Sequence, residues 1–213
     1  MLLLGYHLLT LTSIHKKTNH MSQAPLDQEF WSKRYQEQQT GWDIGYCSTP
    51  LQAYFDQLTN KALTILIPGA GFAHEAKYLH DLGFGQVHVV DLAAEPLRNL
   101  ELVCPDFPKA HVYLEDFFEH QGRYDLIVEQ TFFCALDPKL RGKYAKKMRE
   151  LLKSGGKLVG VLFNRDFEGG PPFGGNHIEY QNIFKQYFQQ VDIQVCYNSI
   201  PERAGNEVFV KIG

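Results

Sequence analysis

A single α/β domain, its mostly parallel sheet covered by helices on both faces, is the fold the sequence predicts. Three observations carry it. Short apolar runs bounded by glycine or proline alternate with amphipathic segments along the chain, the pattern of repeated strand–helix–strand units. Residues 63–67, Leu-Thr-Ile-Leu-Ile, are nearly continuously apolar rather than alternating, as a central parallel strand is when both its faces are covered. The length, 213 residues with 44% hydrophobic and 21% charged side chains, suffices for one large domain and its core without disulfide or metal staples, and is cramped for two.

Each element follows from local chemistry. Asp27 is placed to cap a helix through EFWSKRYQEQQ, which ends before Thr40-Gly41. The first strand, 63–67, is stopped by Pro68-Gly69, and a helix over 73–82 stops at Gly83. A second strand over 87–90 ends at Asp91. A helix over 95–103 leads to a third strand at 112–114 and a fourth at 124–128. The segment PKLRGKYAKKMRELLK predicts a long basic amphipathic helix with Pro138 in its first turn and Gly155-Gly156 beyond its end. A fifth strand over 157–163 gives way to the loop NRDFEGGPPFGGN and a helix through EYQNIFKQYF. Two β-rich runs, 191–197 and 208–212, flank the hairpin-like link IPERAGN, so the sheet closes with an antiparallel pair at its edge.

Charge and termini bound the function. A net charge of -3 argues against a nucleic-acid or anionic-membrane binder, which needs a basic field. The four cysteines are scattered without ligand spacing and read as buried small hydrophobes in a reducing, cytoplasmic setting, with no metal site. Residues 1–20 carry an apolar run whose basic residues follow rather than precede it. It lacks a cleavage pattern and falls short of the roughly 20 apolar residues of a span. They are expected to be an extension outside the fold, with the domain covering 21–213. Nothing fixes the oligomeric state; a monomer is compatible with the reading.

The strongest local signal is ILIPGAGFAHEA, a buried strand running into Gly69-x-Gly71 and then a helix. Glycines there allow positive φ and close ligand approach, and the helix N-terminus offers free N–H donors. His74 occupies the place of the last glycine in the dinucleotide fingerprint and reads as a solvent-facing first-turn residue rather than a catalyst. Asp91, about 20 residues further on, can accept from a ribose. A tight turn and a strand-end cap are the ordinary readings of the two features. Asp116 and Phe117, after the third strand, can hold an adenine, although Asp116 could equally cap its own turn. No second half with its own glycine turn is present for a nicotinamide. With LLKSGGKLVGVLF, these points favour S-adenosylmethionine as the cofactor.

From about Glu29 onward the chain resembles the thiopurine S-methyltransferase family, particularly its thiol and halide methyltransferase branch. The carrying motifs are FWSKRY…TGWDIG, ILIPGAG, VVDL, EDFF, YDLIVEQTFFCALDP, LLKSGGKLV, GGPPF and SIPERAGNE. The resemblance implies a single-domain, Rossmann-like class I methyltransferase fold with a seven-stranded, mostly parallel sheet. It puts Trp31, Tyr35 and Trp42 in a segment covering the cofactor, Gly69 and Gly71 at the glycine turn, and Asp91 at the ribose. It also puts Asp116 and Phe117 at the adenine, and Gln130 beside cofactor and acceptor. Tyr35 stands where the halide branch usually has a second tryptophan. Gln130 stands where that branch has tyrosine and the thiopurine enzymes arginine, which leaves the acceptor open. Phe132, Phe133 and Phe173 are expected to line the acceptor pocket. The implied reaction moves a methyl group to a small thiol, halide, thiocyanate or selenium nucleophile. An anionic acceptor needs no base, so no catalytic residue is assigned. A cofactor-binding protein without turnover and a nicotinamide-dependent reductase are the competing readings.

Overall fold

The computed structural model describes residues 25–213. The expected extension over 1–20, and the start of the domain at Met21, lie outside the described residues.

Asp27 caps α1 (Gln28–Gln36), its carboxylate accepting from Phe30 N at 3.0 Å. The short α2 (Thr49–Phe55), which the sequence reading does not anticipate, buries Leu51 and Phe55. Then come β1 (Ile65–Pro68), α3 (His74–Asp81), β2 (Val87–Asp91), α4 (Ala94–Val103), β3 (Val112–Leu114) and β4 (Tyr124–Gln130). The basic segment forms a 3-10 turn over Pro138–Leu140, capped by Asp137, and only then α5 (Arg141–Leu151). Pro138 therefore precedes the helix rather than sitting in its first turn. The expected solvent face is also narrower, because Arg141 and Lys147 are buried.

β5 (Leu152–Phe163) begins earlier than expected because Leu152 already pairs with Tyr124. The register then jumps, so that Leu126 faces Lys157. α6 (His177–Phe184), β6 (Val191–Val195) and β7 (Glu207–Ile212) complete the chain.

The seven strands are ordered β3-β2-β1-β4-β5-β7-β6. β3, β2, β1, β4 and β5 are parallel to one another, while β7 runs antiparallel to both β5 and β6. The antiparallel β7–β6 pair thus closes the sheet at its edge, as expected, with β7 inserted between β5 and β6. It also sets this order apart from the all-parallel 3-2-1-4-5-6 of a dinucleotide fold.

The two faces are covered separately. Ile65, Ile67, Val87 and Val89 pack toward α2, α3 and α4, against Phe55, Leu79 and Leu100. Leu66, Val90 and Ile127 point the other way, toward Tyr144, Met148 and Phe184 of α5 and α6. This alternation, with both faces apolar, is what makes the central strands read as continuous runs. The chain order reverses between β1 and β4, and a crevice opens there beyond the strand ends. No helix among the described residues is long and apolar enough to cross a membrane.

Candidate active site

The turn after β1 carries three positive φ values, 58° at Gly69, 54° at Gly71 and 58° at Ala73. Gly69 is demanded twice over. Beyond its dihedral, a Cβ there would lie 2.2 Å from Cδ2 of Phe132. The chain enters α3 without a side-chain cap, so the first-turn N–H groups are free of one.

Asp91 straps this turn to the next. One carboxylate oxygen accepts from Gly71 N at 2.9 Å and the other from Ala93 N at 2.9 Å. Burial pushes the Asp91 pKa up, and these backbone donors oppose the shift. Each oxygen retains a second lone pair for a ligand hydroxyl. Asp116 does cap its own turn, accepting from Phe118 N at 2.8 Å through one oxygen, and it also faces the crevice. Phe117 is buried with its ring edge-on to Phe132 at 5.2 Å.

Aromatic rings from the N-terminal segment cover the crevice. Trp31 and Tyr35 each meet Trp42 edge-on at 5.6 Å, and Tyr35 meets Phe72 at 5.4 Å. Burial, with Asp91 nearby, holds the Tyr35 phenol well above its ordinary pKa. The Trp42 carbonyl accepts from Arg203 at 2.7 Å. His74 is not simply solvent-facing: its Nε2 lies 2.8 Å from Asp43 of the WDIG motif, and both residues line the crevice.

At the opposite end, Gln130 closes β4, with its Oε1 accepting from the Ser48 hydroxyl at 3.1 Å. Ser48 N in turn donates to buried Glu75 at 3.1 Å. The next turn is organised by Glu129, which is fully enclosed. Its Oε1 accepts from Phe132 N and Phe133 N, both at 2.8 Å, and its Oε2 meets the Tyr144 hydroxyl at 2.5 Å. Burial raises its pKa to about 7, against the pull of those three donors.

This turn sends Phe132 toward the crevice and Phe133 away from it. The expectation that Phe133 lines the acceptor pocket is therefore corrected: its ring is packed edge-on against Tyr144 and Tyr180, with the Arg141 guanidinium 4.8 Å above. Phe173 is corrected too. Its backbone N donates to Cys134 O and its ring folds against Gly170, leaving Pro171 and Pro172 to face the crevice.

The resulting cavity is about 610 Å³, within the roughly 300–1,000 Å³ of ligand sites. It brings together Trp31, Tyr35, Trp42, Gly69, Gly71, Asp91, Asp116, Phe117, Gln130 and Phe132. Sequence reasoning missed Tyr46, Phe72, Glu75 and the Glu129 anchor. A carboxylate directly after the apolar Leu126-Ile127-Val128 of β4 was the available sign of the last. The scattered cysteines are all free and buried. The fold does bring ligand atoms of His80, Cys104 and Asp106 within 4.8 Å of one another, and none of these residues lines the cavity. Asp91 with spare lone pairs, uncapped α3 N–H groups and an aromatic cover fit the adenosine and amino-acid parts of S-adenosylmethionine.

Comparison with known proteins agrees. The family model described as thiopurine S-methyltransferase matches residues 26–208. The chain is 30% identical over 185 residues to thiocyanate methyltransferase 1 of Arabidopsis thaliana, covering 83% of this chain and 81% of that one. It is 32% identical over 164 residues to the probable thiol methyltransferase 2 of the same plant, covering 72% and 70%. A thiopurine S-methyltransferase of Vibrio campbellii is 27% identical over 181 residues, covering 76% and 83%. Among solved structures, the Burkholderia thailandensis 1,6-didemethyltoxoflavin-N1-methyltransferase, bound to 1,6-didemethyltoxoflavin and S-adenosylhomocysteine, aligns with a TM-score of 0.69. At 17% identity, over 87% of this chain and 85% of that one, this likeness shows the shared fold. The chain belongs to the thiopurine S-methyltransferase family and is an S-adenosylmethionine-dependent methyltransferase.

Proposed function

We propose that the methyl acceptor is a small sulfur nucleophile or its chemical kin, a thiolate, thiocyanate, selenium species or halide, and that one cavity holds both reactants. The observation that carries this is the continuity of the Asp91-strapped glycine turn with an apolar end formed by Phe132, Leu136, Pro171 and Pro172. The names of the two plant relatives support the acceptor class.

When bound, S-adenosylmethionine supplies a sulfonium methyl group open to in-line displacement. Asp91 would accept from the ribose, the spare oxygen of Asp116 from the adenine amine, and Phe117 would meet the ring. Trp31, Tyr35 and Trp42 exclude water and offer ring faces to positive charge, each such contact worth about 0.5–2 kcal/mol. Gln130, at the end of β4, would lie beside cofactor and acceptor. Phe132 forms the acceptor wall.

An anion stripped of water in such a site attacks more readily, because charge is cancelled as the new bond forms. Holding the pair in line contributes about 7–11 kcal/mol, and no base is needed for an acceptor already ionised. The unit proposed to do this spans 21–213. The buried free cysteines support a reducing, cytoplasmic setting, and the slight negative charge supports small molecules rather than nucleic acid as partners.

The test is incubation of the full chain with methyl-labelled cofactor and hydrosulfide, thiocyanate, iodide or thiophenol. Label in a methylated product is expected. Binding of S-adenosylhomocysteine with no transfer to any of the four would leave a binding protein without turnover.

A further inference from the structure

Among the described residues, no lysine or arginine lines the cavity, and His74, its one basic residue, is paired with Asp43. Carboxylates are plentiful. Besides Asp91 and Asp116, five more line it, including Glu75 beneath Ser48 and Asp137 beside Leu136. The two arginines whose charge reaches Cys134 are already committed. Arg141 is paired with Glu179 and donates to the carbonyls of Phe173 and Gly174. Arg203 is paired with Glu207 at 3.5 Å and donates to the Trp42 carbonyl. An anionic tail entering this cavity loses its water, finds no free protein cation among the described residues to replace it, and meets carboxylates such as Asp137 at the cavity wall.

We infer that the acceptor bears no anionic group other than its attacking atom: the site takes compact soft nucleophiles and uncharged-tailed thiols, and turns away thiols carrying a carboxylate, sulfonate or phosphate. The inference rests on the sulfur-acceptor reading. The lone pair of the thiolate forms the new S–CH3 bond while the donor C–S bond breaks and its electron pair stays on the donor sulfur. One positive and one negative charge cancel in that step. A second anionic group on the acceptor keeps its charge throughout and gains nothing from it.

The experiment compares 4-mercaptophenylacetate with its methyl ester. The methylene group insulates the thiol, so both ionise alike, and only the tail charge differs. The ester is expected to have a kcat/KM about 30-fold higher, chiefly through KM, the order of effect of one like charge about 8 Å away at an effective dielectric of about 20. Parity, or preference for the acid, would overturn the inference. Asp137→Asn, which keeps an acceptor for Lys139 N, is expected to narrow the gap severalfold, as is added salt. A gap unmoved by either would assign the discrimination to size and also overturn it.

Calorimetry of both compounds on the S-adenosylhomocysteine complex separates this from the broader reading. Tighter binding of the ester with neither compound methylated would sink sulfur transfer and uphold the charge rule. Tighter binding of the acid would sink the charge rule.

Discussion

At the end of the cavity proposed to hold the cofactor, the floor comes from one stretch of chain, Gly69 to Ala93, whose backbone N–H groups Asp91 gathers. At the end proposed for the acceptor, the walls come from residues 46, 75, 130–132, 134–137, 140 and 171–172, aligned by buried side chains of which Glu129 is the hub. One end is fixed by local backbone geometry, the other by long-range packing. A shared cofactor with variable acceptors is the natural consequence, because substitutions at the second end leave the first intact.

The residue that joins the two ends should be the most sensitive. Gly69→Ala places a Cβ within 2.2 Å of Phe132 and forces alanine to a φ of 58°. Overpacking and backbone strain together predict a loss of about 3–5 kcal/mol in urea unfolding, with cofactor binding falling as well. A loss below about 1 kcal/mol would mean that the Phe132 ring swings freely and the two ends are uncoupled.

Glu129→Gln probes the acceptor end alone, through pH. In the fold Glu129 titrates at about 7 rather than its ordinary 4.5, because burial disfavours the anion. Between those values the unfolded chain releases a proton that the native state keeps, so wild-type stability falls as pH rises from 4.5 through 7. Glutamine accepts from the two N–H groups and donates to Tyr144 at every pH. The two proteins should match near pH 4, and the variant should gain up to about 3 kcal/mol over wild type by pH 8. Parallel stability curves across that range would contradict the burial argument.

Asp91→Ala tests the cofactor end. It removes the proposed ribose acceptor and leaves Gly71 N and Ala93 N without their partner. Hydrogen bonds to a charged group contribute about 1.5–3 kcal/mol, so affinity for S-adenosylhomocysteine should fall about 10- to 100-fold by calorimetry. Unchanged affinity would remove Asp91 from the site.

The same division decides what was legible in the sequence. β1 to β4 were readable to within about two residues because each is a short apolar run bounded by turn or polar residues, Gly69 and Gly71 because positive φ favours glycine, and Asp91 because it ends an apolar strand. α2 was not, since its seven residues carry too little periodicity and are held by tertiary packing of Leu51 and Phe55. Neither was the choice among Phe132, Phe133 and Phe173. Adjacent aromatics in a turn look alike until Glu129 binds both N–H groups and aims one ring outward, and until Gly170 makes room for the ring of Phe173.

The smallest effect is expected at the cover. α1 has no buried residue and is tied to the body by the Trp31–Trp42 and Tyr35–Trp42 edges and by the bond from Gln36 to Glu95 at 2.8 Å. An element with so little burial opens at low cost, so its amides should exchange quickly in the free protein and slow when S-adenosylhomocysteine is bound, while those of β4 and β5 are protected throughout. Trp31→Leu removes the edge contact that ties the helix to Trp42, worth about 0.5–1.5 kcal/mol, which predicts a several-fold loss of affinity with global stability nearly unchanged. Equal exchange in α1 with and without ligand would show that the helix does not close over the cavity, and water exclusion would then fall to Trp42 and Phe72.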